Sequence, residues 1–203
     1  RLYGITGEEK FLTTAKYFDN DHLFIPMHEN VDTLGGIHAN QHIPQIVGAL
    51  KTYEVAGEEY YFHVAKNFWK AVTGHHIYNI GGTGSGEMFK PKDQIAKFLN
   101  DRTAETCATY NMLKLTRGLF AFEPEAEYMD YYEKALYNHI APSQDHSAPN
   151  GGSTYFMPLR PGAQKKFDVY GNTCCHGTGL ENHTKYQDTI YFRSADNSAL
   201  YVN

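Results

Sequence analysis

At 203 residues the chain is long enough for one domain with its own core, and no stretch approaches the roughly 18 uninterrupted apolar residues of a membrane span. Eighteen Lys plus Arg against 23 Asp plus Glu give a formal charge of −5 with no basic run, which removes the electrostatic footprint of a nucleic-acid partner. A soluble chain with neither nucleic acid nor membrane as partner is expected. Three cysteines, two of them adjacent, do not form a disulfide framework and leave the compartment open, a periplasmic or secreted full-length protein included.

The first residues, Arg1 to Thr6, carry neither an initiator Met nor a signal peptide, and Ala199 to Asn203 read as a strand cut short, so a piece of a longer enzyme is expected. Phe11, Leu12, Ala15, Tyr17 and Phe18 recur at helical spacing between Gly7 and Asn20. The frame returns 50 positions later: Tyr3, Gly7, Glu8 and Glu9 match Tyr53, Gly57, Glu58 and Glu59, and both copies run on into Ala-Lys-x-Phe. This predicts a repeated helical hairpin, with Gly at a left-handed turn and two glutamates at the positive end of the second helix. A fainter third copy spans Phe120 to Asn138, with Pro124 opening its helix. Repeated hairpins close into a solenoid or toroid whose connecting loops meet at a concave end.

Gly35-Gly36-Ile37-His38-Ala39-Asn40 reads as a loop delivering side chains just before a helix that Ile43, Ile46, Val47 and Leu50 continue, with Pro44 tolerated early in it. For His38, packing or capping competes with ligand contact. His75 and His76 lead into a segment with four glycines between 81 and 86. It lacks the Lys-Ser/Thr ending of a phosphate loop. The glycines present Glu87, a carboxyl whose pKa partial desolvation would raise toward that of a general acid; a solvated loop glutamate is the plain alternative. Residues 91–99 read as a linker or weak helix.

Met112, Leu113, Leu115, Leu119 and Phe120 make the buried face of a helix that Thr103 or Thr106 would cap, with Glu105 and Cys107 converging at its start. The breakers between 141 and 172 suggest a hairpin or irregular strands, with Tyr155 either looking into the cleft or packed. A helix is expected from Gly177 through Tyr186, then β-structure at 189–192 and 199–202. Aromatics make up 14% of the chain, enough to line a sugar groove, although helix packing claims most of them.

Cys174 and Cys175 are too close along the chain for an ordinary disulfide, because consecutive Cα atoms lie about 3.8 Å apart. With Cys107 and Glu105 they offer three sulfurs and a carboxylate, a set suited to a tetrahedral ion with zinc first. Buried inert thiols and a redox pair are the other readings. A thiol on zinc keeps its negative charge and remains a nucleophile.

Gly35 to Asn40, Gly86-Glu87-Met88-Phe89, Glu105-Thr106-Cys107 and Cys174-Cys175-His176-Gly177-Thr178-Gly179-Leu180-Glu181-Asn182 together resemble the β-L-arabinofuranosidases of glycoside hydrolase family 127 and its relative family 146. The prolines that follow the cysteine pair in family 127 are replaced here by His176-Gly177-Thr178-Gly179, closer to family 146, and the Glu87–Glu105 loop is slightly longer. The resemblance implies an all-α dominated chain: part of an (α/α)6 catalytic barrel over 1–192, a short β-hairpin insertion, and the start of a β-rich domain or linking strand over 193–203. It implies zinc on Glu105, Cys107, Cys174 and Cys175, with Cys174 as nucleophile, Glu87 as acid/base and His38 in contact with the sugar of an arabinose-containing oligosaccharide or glycan; His76 and Tyr155 are further candidate substrate contacts. Too short for twelve helices, such a piece would expose inner barrel surface. A noncatalytic zinc-stabilised scaffold or carbohydrate-binding domain is the competing reading, and a lyase or an inverting hydrolase with opposed carboxylates is a third.

Overall fold

The 50-residue repeat is a helical hairpin in the computed structural model, which describes residues 1–149, 151–184 and 186–203. Helix α1 (Leu2–Thr6) ends at Gly7 with φ 72°, and α4 (Ala39–Ala56) ends at Gly57 with φ 70°. In each copy the glycine N–H donates back one turn, to Tyr3 O at 2.7 Å and to Tyr53 O at 2.8 Å. That is the left-handed cap a Cβ would disfavour. Helices α2 (Glu9–Lys16) and α5 (Glu59–His75) then begin, each with a glutamate in its first turn. The tyrosine hydroxyl crosses the turn to that glutamate, Tyr3 to Glu9 and Tyr53 to Glu59. Lys16 reaches Glu58 and ties one copy to the other.

Helix α3 (Asp21–His28) lies between the copies and contains Pro26. The third hairpin is α6 (Thr106–Phe122) with α7 (Ala126–Ala135), joined without a left-handed glycine. Pro124 stands before the cap Glu125 and so opens no helix itself. Helix α8 (Cys174–His183) starts three residues before the expected Gly177.

Helices α4, α5 and α6 build the core. Ile43, Ile46, Phe68, Val72, Met112, Leu115 and Leu119 are fully buried there, and Trp69 and Tyr131 nearly so. Each such side chain contributes about 1.5–3 kcal/mol of transfer free energy. Trp69 Nε1 donates to Thr116 Oγ1 at 2.8 Å, so its polar end stays bonded inside the core. Most aromatics are spent on such helix packing. On the outside, Ile5, Tyr17 and Phe18 remain exposed on or beside the first two helices.

Residues 141–172 form no regular strand among the described residues. Ser153 instead makes isolated bridges to Gln144 and Asp168, and Glu105 to Phe156. The regular hairpin is the last one, β1 (Tyr191–Arg193) with β2 (Leu200–Val202), paired Phe192 to Tyr201. Both of those rings pack on Phe120 of α6, at 4.7 and 5.7 Å. The hairpin is thereby anchored to the helical body. Among the described residues, no helix is long and apolar enough to cross a membrane.

Candidate metal centre and active site

Three helix N-termini deliver the side chains. His38 is the N-cap of α4, Glu105 the N-cap of α6 with Cys107 in its first turn, and Cys174 and Cys175 open α8. The partial positive charge at such ends favours anions and thiolates. Neither Thr103 nor Thr106 caps α6. Their hydroxyls donate to Met157 O and Thr154 O instead, and so bind the irregular 154–159 segment to the start of that helix.

Glu105, Cys107, Cys174 and Cys175 each point one ligand-type atom into a cluster whose atoms lie within 4.8 Å of one another. Cys175 Sγ is 3.1 Å from Cys107 Sγ and 3.8 Å from Glu105 Oε1, and Cys174 Sγ is 3.9 Å from the same oxygen. All three cysteines are reduced, two of them buried and Cys174 exposed. Glu105 is 2% exposed, and its Oε2 has no hydrogen-bond partner. A buried carboxylate oxygen without a partner is costly, and a cation among the thiols would satisfy it. The donor set thus fits a metal ion.

Burial, then the neighbouring Cys107 and Glu87, pushes the Glu105 carboxyl up to about 8. The hydrogen bond from Cys175 pulls the Cys107 thiol down, with Thr178 helping, and that same bond raises Cys175. The contact therefore favours the thiolate on Cys107 over that on Cys175. Burial also raises the Cys174 thiol. These directions describe the cluster before an ion neutralises it.

Glu87 stands at φ 70°, a left-handed conformation unusual for a residue with a side chain. The loop enforces it: Gly86 N donates to Arg102 O at 2.8 Å, Ala39 N to Glu87 O at 2.8 Å, and Phe89 N to Ile37 O at 2.9 Å. Those bonds set Glu87 beside His38, whose Nε2 is 3.7 Å from Glu87 Oε2. His38 Nδ1 accepts from Gln41 N, which places the ring proton of the neutral form on Nε2, facing the cleft. The Tyr155 hydroxyl donates to Glu87 Oε1 at 2.5 Å and lies 3.7 Å from Cys174 Sγ. Its pKa is raised by burial and by the Glu87 bond.

His76 sits elsewhere. It is 1% exposed, with Nδ1 at 2.9 Å from Lys90 O and Nε2 at 2.8 Å from Asp32 Oδ2. Both ring nitrogens are engaged by the surrounding loops. Spacing could not show this, because the partner carboxylate lies 44 residues away.

Sequence reasoning missed Thr178, whose Oγ1 is 3.2 Å from Cys107 Sγ. A helix begun at Cys174 would have placed it one turn on, over the cysteines. It also missed the support beneath Glu105. Ala104 takes φ 50°, and Gly82 and the buried His139 press against it, His139 standing in the π-turn Leu136–Ile140 with Nδ1 2.8 Å from Thr109 Oγ1.

Comparison with known proteins agrees with this architecture. The family profile described as β-L-arabinofuranosidase, GH127 catalytic domain, matches residues 1–188. The non-reducing end β-L-arabinofuranosidase of Bifidobacterium longum is 29% identical over 92 residues, 45% of this chain and 14% of that protein. A solved GH127 β-arabinofuranosidase superposes with a TM-score of 0.76 at 23% identity over 100% of this chain and 33% of its own. The GH127 β-L-arabinofuranosidase of Geobacillus stearothermophilus gives 0.72 at 24% over 99% and 38%. The chain spans 33% and 38% of these solved relatives and 14% of the curated one. With a helical fold that fits part of an (α/α) barrel and a Glu-Cys-Cys-Cys cluster at its helix ends, the chain belongs to the GH127 β-L-arabinofuranosidase family of glycoside hydrolases.

Proposed function

We propose that this chain carries the catalytic centre of a retaining β-L-arabinofuranosidase acting on arabinose-containing glycans, with Cys174 as nucleophile and Glu87 as acid/base. The observation that carries the reading is the Tyr155 hydroxyl, 2.5 Å from Glu87 Oε1 and 3.7 Å from Cys174 Sγ, which sets a carboxyl and a thiol in one cleft. Cys174 is the exposed member of the cluster. A purely structural site would have no reason to leave one thiol open.

Glu105, Cys107, Cys174 and Cys175 would hold zinc, the ion that three soft sulfurs and one carboxylate suit best. When bound it supplies positive charge that keeps the thiols deprotonated near neutral pH. The residues of the chain do the rest. The Cys174 sulfur attacks the anomeric carbon while the Glu87 carboxyl gives its proton to the departing oxygen, leaving the sugar on sulfur. Glu87, now a carboxylate, takes a proton from water, which attacks the same carbon and releases arabinose with retained configuration. Tyr155 orients Glu87 through its short bond, and His38 presents Nε2–H toward the sugar side of the same carboxylate.

In the full-length protein, Glu87→Gln should keep its metal and lower turnover of a β-L-arabinofuranoside by at least about 100-fold. Cys174→Ser should abolish turnover. Hydrolysis that survived in Cys174→Ser would refute the thiolate mechanism.

A further inference from the structure

Tyr155 also lines a cleft of about 480 Å³ whose walls include neither the metal cluster nor Glu87 and His38. Its walls include Asp101, Arg102, Tyr155, Phe156, Arg160 and Lys166. Three cations face one carboxylate.

The carboxylate is already matched. Arg160 Nε and NH2 hold Asp101 Oδ1 and Oδ2 at 3.1 and 3.2 Å, a two-bonded pair that neutralises both. Arg102 is different. Its guanidinium lies 5.3 Å over the Phe156 ring, and Phe156 packs at a tilt against Tyr155 with ring centroids 4.6 Å apart. A contact with a ring face neutralises no charge, and no carboxylate pairs with the Arg102 side chain among the described residues. Lys166 has no carboxylate partner among the described residues. Two cations therefore stand unneutralised in a cleft that opens from the residue bonded to Glu87.

The walls are fixed as well as charged. Leu159 N donates to Asn100 O at 3.2 Å, Met157 N to Ala104 O at 3.1 Å, and Thr106 N to Tyr155 O at 3.0 Å. The two segments are pinned along their length, and a ligand would meet a prepared surface.

We infer that this cleft is the leaving-group subsite and that it selects a chain bearing a carboxylate, a hexuronic acid, beside the released arabinose. The inference rests on the arabinofuranosidase reading for what lies next door. Phe156 and Tyr155 give the sugar ring an apolar face to lie on, and Arg102 and Lys166 meet its carboxylate with charge-assisted hydrogen bonds.

The test compares two disaccharides in the full-length, metal-loaded protein: β-L-arabinofuranosyl galactose and β-L-arabinofuranosyl galacturonic acid, which differ only at C6. The native protein should favour the uronate by about tenfold in kcat/KM, the scale of one partly exposed charged hydrogen bond. Arg102→Gln combined with Lys166→Met should bring that ratio close to one, and Lys70→Gln on a distant helix should leave it where it was. Both cleft side chains are exposed, and matching circular dichroism and melting curves would show that the double variant is folded. A native ratio near one, or an unchanged ratio in the double variant, overturns the inference. A 4-nitrophenyl β-L-arabinofuranoside separates the two readings: if it is cleaved while neither disaccharide is, the arabinofuranosidase reading stands and the subsite falls. If none of the three is cleaved, the arabinofuranosidase reading fails, and calorimetric titration with digalacturonic acid decides the cleft. Binding by the native protein, weakened about tenfold in the double variant, sustains a uronate site, and no binding overturns it.

Discussion

Gly82→Ala should damage the site from beneath. A Cβ built there would lie 2.6 Å from Ala104 Cβ and 2.7 Å from His139 Nδ1. Carbon atoms in contact prefer about 3.5–4.0 Å, so each overlap is about 1 Å. Neither neighbour can turn away. Ala104 has no rotatable side chain and is fixed at φ 50°, and His139 is fully buried against Thr109. The strain must pass into the backbone, where Gly82 O accepts from Tyr78 N and Ala104 N donates to Gly84 O. Overpacking of this kind costs about 1–3 kcal/mol, and for a domain of this size each kcal/mol lowers Tm by about 2–4 °C. A fall of about 4–10 °C is expected. Because Ala104 leads directly into Glu105, metal affinity should fall with it. Gly48→Ala is the matched control: it stands inside α4 with nothing within 4 Å of its Cβ position, and it should gain up to about 1 kcal/mol from helix propensity. Thermal unfolding with and without a chelator reads both. A Gly82→Ala protein that melts within a degree of the parent would refute the steric reasoning.

Two further expectations concern protons and the metal. Burial lowers His139 to about 4 against an ordinary 6.5, so the unfolded chain takes up a proton that the folded one refuses; stability present above pH 6.5 is lost as pH falls toward 4, by about 3 kcal/mol at most. Urea unfolding from pH 7 to 4 should show that slope, and His139→Gln should flatten it. In chelator-stripped protein, Glu105 ionises at about 8 when folded and at 4.5 when unfolded, so the folded state holds the extra proton between those values and stability should rise as pH is lowered from 8 to 5. Restoring zinc or making Glu105→Gln should remove that dependence, and a stripped protein with a flat profile would count against a buried, unmatched carboxylate.

The hairpins and the cluster were legible for different reasons. Gly7 and Gly57 sit at turns whose geometry depends on a few neighbouring residues, so the repeat could be read directly. The cysteines stood out by scarcity. The bond between His76 and Asp32 was not legible, because tertiary folding alone brings the two together. The start of α8 was hidden by Gly177 and Gly179, which look like breakers. Space explains one of them: a Cβ at Gly179 would lie 3.2 Å from Ser153 Oγ, so α8 accepts a poor helix former to pack closely on the irregular segment. The positive φ of Ala104 and Glu87 gave no sequence signal, because the loop bonds that hold them come from residues far along the chain.

The adjacency of Cys174 and Cys175, the oddest feature of the sequence, follows from their place on a helix. Successive residues point about 100° apart around a helix axis, whereas residues three or four apart share a face. A pair three apart, with two residues between them, would send both sulfurs the same way, into the protein or out of it. Neighbours at the first turn of α8 diverge instead: Cys175 turns inward to Cys107, and Cys174 turns to the cleft and Tyr155. Both still reach Glu105 Oε1, at 3.8 and 3.9 Å, because the start of α6 packs against the start of α8. The same four donors can therefore grip an ion while one of them stays open to a substrate. That division of one buried thiol and one exposed thiol is what the proposed metal-held nucleophile would require, and the dipeptide supplies it through helix geometry.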